Sequence, residues 1–152
     1  MPKSSALRML LDLAQDQSDA AASRLGQLNA REQEVAQKLH LLMKYRQDYQ
    51  VRFQEQAKSG IDQAGWRNFR EFMGKLETAI AEQHNAVVNS RNSMQAGRID
   101  WHAQQRKLKS YGTLSQRHER AESLRAAKSE QREQDEQSIK SLVHNKVSAE
   151  HD

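Results

Sequence analysis

Cysteine is absent from all 152 residues. Neither a disulfide framework nor a thiolate metal site is therefore available, and a reducing compartment suits the chain. Proline occurs once, at Pro2, so nothing from Lys3 to Asp152 is barred from a helix. Hydrophobic residues make up 36% and aromatics only 5%, too little for an ordinary globular core of this length. Such a chain can fill a single thin seam. No apolar run approaches the ~18 residues of a membrane span, and the first residues lack a signal peptide's apolar stretch and cleavage site. A soluble, unprocessed chain with no direct membrane insertion is expected.

Catalytic constellations are missing as well. There is no GxxxxGK[ST] loop to cradle a phosphate, no HExxH and no nucleophile elbow. The histidines at 40, 84, 102, 118, 144 and 151 never stand three or four residues from one another, so no pair shares a helical face to hold a metal. A non-enzyme is expected, with no catalytic residue, no cofactor and no metal.

What the chain has in abundance is Ala, Gln, Glu, Lys, Arg and Leu, the residues that favour helix. An interruption falls at Ser59 to Trp66. Gly60 suits the left-handed residue that ends a helix, and Asp62 suits the N-cap of the next. Ile61 and Trp66 then stand at N′ and N4, the spacing of a hydrophobic staple.

Counting back from this turn at alternating intervals of three and four gives fourteen positions from Leu11 to Gln56. Ten are apolar, where composition alone would put about five. Counting forward from Trp66 to Tyr111 gives ten of fourteen again. Both segments are heptad helices, and the predicted fold is all-α, a long two-helix antiparallel coiled-coil hairpin with an overhanging, partly disordered C-terminal extension. The expected boundaries are 3–58 for the first helix, 59–65 for the turn, 66–125 for the second helix and 126–152 for the polar extension, either helical or disordered.

An antiparallel pair joined by so short a turn sets facing residue numbers to add to 122. Phe53 then meets Phe69, Leu42 meets Ile80, Val35 meets Val87, and Leu28 meets Met94. Polar residues fall together as well, Glu32 with Ser90 and Ser18 with Gln104, which disfavours slippage by a heptad. The first helix has nothing to offer beyond Ser123.

Charge is uneven. Residues 91 to 132 hold ten Lys or Arg against four acids, a surplus of six in a chain whose net charge is +4. These cations wrap around the helix and accompany no recognised nucleic-acid motif, so no nucleic acid is expected as a partner. A solvated face or an acidic protein partner accounts for them.

Beside the seam, Lys38 and Tyr45 fall at g positions of the first helix, as do Phe72 and Ala79 on the second. The g positions of an antiparallel pair flank one edge. Lys38, Leu42, Tyr45 and Tyr49 thus adjoin Phe72, Leu76, Ala79 and Gln83 near the hairpin tip. Aromatics grouped there are either a docking surface or padding that broadens a thin core.

The segments ALRMLLDLAQDQSDAAASRLGQL (6 to 28), LLMKYRQDYQ (41 to 50) and WRNFREFMGKLETAI (66 to 80) resemble the FliJ family, small coiled-coil proteins of the bacterial flagellar type III export apparatus. The resemblance spans roughly residues 1 to 125. Its most specific parts are Leu42, Tyr45 and Tyr49, and the spacing of Trp66, Phe69 and Phe72. It implies a stalk-like protein that engages and activates the export ATPase ring and couples it to the export-gate membrane protein and to substrate chaperones. It also implies a cytoplasmic location, peripheral to the inner membrane at the export apparatus. The family's gate-docking surface corresponds to Lys38, Leu42, Tyr45, Tyr49, Phe72, Leu76, Ala79 and Gln83. Two positions depart from the family pattern: Lys38 replaces a Gln, and His84 follows Gln83 where the pattern has His one place earlier. The remaining readings from the residues are a generic structural or tethering coiled coil and, further off, a basic nucleic-acid-binding rod.

Overall fold

A computed structural model describes residues 2–150 and contains two helices, α1 (Pro2–Lys58) and α2 (Gln63–Glu150). The fold is all-α; no strand occurs among the described residues. Chain contacts divide into two units, one comprising Asp16–Gln105 and the other the N-terminal residues up to Gln15 together with Arg106 onward.

The turn belongs to the first unit. α1 ends in two tightened hydrogen bonds, in which the amides of Ser59 and Gly60 donate to the carbonyls of Gln56 and Ala57 at 3.1 and 3.2 Å. Gly60 then adopts φ 94°, where a side chain would be strained. Asp62 caps α2: its Oδ1 accepts from the amide of Gly65 at 2.9 Å, and its carbonyl accepts from the amide of Trp66 at 3.1 Å. Since the cap lies at 62, residues 63 to 65 already belong to α2, and the turn is shorter than the expected 59–65. A Cβ on Gly65 would stand 2.6 Å from Cγ2 of Ile61, so the absence of a side chain lets Ile61 lie down on the new helix. Trp66 lies edge-on to Phe53, with ring centroids 5.0 Å apart.

Within Asp16–Gln105 the two helices meet as an antiparallel hairpin along the heptad seam. Ser18, Ala21, Val35, Met73, Leu76, Ile80 and Val87 are buried. The rings of Phe53 and Phe69 stack at 3.7 Å, the pair that belongs in one layer when numbers add to 122. Gly97 lies level with Leu25 under the same rule; a Cβ there would stand 4.0 Å from the Leu25 Cα and 2.7 Å from Cδ1 of Leu28. The seam is thin, with no large side chain completely enclosed.

Ion pairs on and beside the seam join the two helices. Glu32 Oε1 accepts from Arg91 Nε at 3.3 Å. Arg24 Nη2 donates to Asp100 Oδ2 at 3.0 Å, and Gln104 Nε2 donates to Asp100 Oδ1 at 3.3 Å. The Arg24 hydrogen bond, followed by that from Gln104, holds the Asp100 carboxyl below its ordinary value.

In the second unit Ala14 is buried and Leu7, Leu11, Leu108 and Tyr111 are half-buried. The Ser4, Leu7 and Leu11 side of α1 and the Ser115, His118 and Glu122 side of α2 line a common groove. Every residue from Ser123 to Glu150 is exposed, yet α2 stays helical to the end of that stretch. Residues 126–150 are thus helical, the first of the two forms open to the polar extension; 151 and 152 lie outside the described residues. Among the described residues no helix is long and apolar enough to cross a membrane, and no three His, Asp or Glu are grouped to hold a metal ion.

Candidate functional site

The edge beside the turn is built on the best-packed stretch of the seam. Met73, Leu76 and Ile80 form a buried cluster, with Leu39, Leu42, Tyr49 and Phe69 packed against it. Heptad spacing puts these side chains on one face of each helix, and the short turn fixes which faces meet.

Aromatic rings continue outward from this cluster. Phe69 stacks on Phe53 and lies 5.5 Å from Tyr49, nearly parallel to it at 9°. Tyr49 in turn meets Phe72 at 4.4 Å with the planes tilted by 45°. With Trp66 edge-on to Phe53, five rings run in contact from Trp66 through Phe53, Phe69 and Tyr49 to Phe72. Centroid spacings and angles of this kind each add about 0.5–1.5 kcal/mol beyond area burial. The two ends of the run are exposed, Trp66 by 50% and Phe72 by 46%.

The eight residues of the expected docking edge divide into two sets. Leu76 is core, and Leu42 and Tyr49 pack against it. Gln83 is half-buried and donates its Nε2 to the Val35 carbonyl at 2.9 Å, which ties α2 to the backbone of α1. Ala79 is half-buried. Lys38, Tyr45 and Phe72 are exposed, Tyr45 by 64%. The outward chemistry of the edge is therefore a phenol, a phenyl ring and an ammonium, and of the other five Tyr49 meets the Phe72 ring directly.

Heptad counting by itself underrated two residues. Trp66 is a seam position by count, yet half of it faces solvent, because the seam is ending at the turn and nothing lies beyond it. Phe53 enters as a core residue but also links Trp66 to the rest of the rings. The signal that finds both is the concentration of aromatics: six of the eight in the chain lie between Tyr45 and Phe72.

The family model described as Flagellar FliJ protein matches residues 3–146, nearly the whole chain. The chain is 26% identical over 136 residues to the flagellar FliJ protein of Escherichia coli (strain K12), covering 90% of this chain and 92% of the relative. The flagellar FliJ protein of Salmonella typhi is also 26% identical over 136 residues, with the same coverage. With a family match that takes in both helices and the turn between them, this chain belongs to the FliJ family of flagellar proteins, components of the flagellar export apparatus.

Proposed function

We propose that the protein is a stalk-like activator and adaptor of flagellar type III export. It engages the export ATPase ring, promotes hydrolysis there, and couples the ring to the export-gate membrane protein and to substrate chaperones. It works in the cytoplasm, peripheral to the inner membrane at the export apparatus. The match to the family across residues 3–146 supports this reading more than any other observation.

The edge carrying Lys38, Tyr45 and Phe72 docks on the export gate, with Leu42, Tyr49, Leu76, Ala79 and Gln83 as its scaffold. Exposed aromatics on a packed base supply large contact area at small entropic cost, the usual character of an interface anchor. The protein carries out no chemistry of its own. Its contribution is binding free energy that favours ring assembly and the gate-bound state.

Mixing the full chain with the purified export ATPase provides the test. Faster hydrolysis and more rings per unit ATPase are expected. Unchanged hydrolysis and ring number would leave a structural or tethering coiled coil in place of an activator.

A further inference from the structure

From Leu114 onward α2 carries an exposed apolar face, most of which lies past the stretch that packs on α1. Leu114, Ala121, Lys128, Asp135 and Leu142 recur every seven residues, with Leu124, Ile139, Val143 and Val147 beside them. All are exposed, from 48% at Leu114 to 68% at Leu142 among the large apolar ones. Along this face the order is apolar, then charged, then apolar. The segment cannot fold back on its own helix, because α2 is unbroken through Glu150.

We infer that this face is a self-association surface on which α2 of a second copy packs antiparallel, about a two-fold axis near residues 131 and 132. With facing numbers adding to about 262, Leu114 meets Val147 of the second copy, Ala121 meets Leu142, Leu124 meets Ile139, and Lys128 meets Asp135. The symmetry supplies every contact twice. A parallel pairing would instead set Lys128 on Lys128 and Asp135 on Asp135, like charge on like charge, where the antiparallel one sets Lys128 on Asp135. Charge also disfavours a lipid surface as the occupant, since residues 129 to 138 carry Glu130, Glu133, Asp135 and Glu136 against Arg132 alone. The association goes beyond the export role, and its test uses no export component, so either can fail without the other.

Sedimentation equilibrium of the full chain over a range of concentrations should show conversion from the 17.5 kDa monomer to twice that mass. Leu142→Asp, at an exposed position, should give monomer with unchanged helix content. Lys128→Asp should weaken association about tenfold, and Lys128→Asp with Asp135→Lys should restore it; residues seven apart lie about 10 Å apart along one helix, so restoration cannot come from within a chain. In this cysteine-free background, Leu124→Cys with Ile139→Cys should crosslink chains, while neither alone should. Monomer at every concentration, a dimer indifferent to Leu142→Asp, a double charge swap without rescue, or crosslinking by Leu124→Cys alone would each overturn the assignment. So would monomers that bind anionic vesicles through this face.

Discussion

Tyr45 and Phe72 let folding and docking be separated, because both are large and neither is buried. Removing a buried Phe typically costs 3–5 kcal/mol. Phe72 is 46% exposed and loses one ring contact, with Tyr49 at 4.4 Å, so Phe72→Ala should cost about 2 kcal/mol of stability. Tyr45, 64% exposed, should cost about 1 kcal/mol. In circular dichroism Tyr45→Ala should lower the melting temperature by about 2–4 °C and Phe72→Ala by about 4–8 °C, with the helices still formed. Under the docking proposal the loss of gate affinity exceeds this for Tyr45 and at least equals it for Phe72, since removing an aromatic anchor from the centre of an interface costs ~2 kcal/mol or more, about thirtyfold in affinity. Calorimetric titration against the soluble domain of the export gate should therefore show weakening by that factor in each variant, with ATPase stimulation retained. Two results would refute the reasoning: normal gate affinity in both variants, which makes the edge padding, or loss of helix in both, which makes it core.

Asp100 provides a pH test. Its folded-state pKa is lowered by the Arg24 and Gln104 hydrogen bonds, so its contribution is complete above the ordinary carboxylate range and disappears as pH falls through the lowered value. Asp100→Asn should lower the melting temperature at neutral pH, with the gap to the parent closing in acid; a constant gap would exclude the ion pair as its cause. For the register, Leu28→Cys with Met94→Cys should oxidise readily, because Cβ atoms in one layer approach to about 4 Å. Efficient bridging only at pairs adding to 115 or 129 would displace every layer. Removing the residues after 125, all exposed where described, should leave the hairpin's melting temperature nearly unchanged at dilutions where the chain is monomeric. Under the stalk proposal the same truncation should reduce stimulation of the ATPase ring, and full stimulation would move that contact elsewhere.

The seam was legible because a two-helix fold has one interface, and its period is written in every turn. Each position counted from Leu11 to Phe53 is buried or half-buried, and so is each from Phe69 to Tyr111. The last position at either side of the turn, Gln56 and Trp66, is exposed, since the count knows the period but not where the partner stops. Gln83 was legible as an edge residue, whereas its bond to the Val35 carbonyl was not, because a rotamer decides it. Glu32 and Ser90 are both half-buried as their shared layer predicts, whereas the reach of the Glu32 carboxylate to the neighbouring Arg91 depends on two rotamers that the period does not encode. The helical state of residues 126–150 was left open by composition: Ala, Gln, Glu and Arg favour helix, but no buried face adds to that propensity.

Packing within Asp16–Gln105 is graded, and the gradient bears on where docking can occur. Near the turn, Met73, Leu76 and Ile80 are enclosed by apolar neighbours and aromatic rings. Further along, Gly97 faces Leu25, and Ala22, Gly26, Met94 and Trp101 line a groove of about 300 Å³ that is open to solvent. Met94 and Trp101 are only half-buried there, whereas Met73, Leu76 and Ile80 are buried, so less apolar surface leaves water and this stretch is the weaker one. Docking residues on the weaker stretch would have to be ordered by the partner, at a cost taken out of the binding free energy. Phe72 instead meets Tyr49, which packs against the tight cluster of Met73, Leu76 and Ile80. Leu76→Ala should accordingly weaken gate binding although Leu76 faces the core, because it loosens the cluster that holds Tyr49, the ring that Phe72 meets. Phe72→Tyr, which keeps the ring and its contact with Tyr49, should leave that binding nearly intact. Equal losses from Leu76→Ala and from Val87→Ala, a buried residue remote from the aromatic run, would mean that binding tracks overall stability and that the local base contributes nothing.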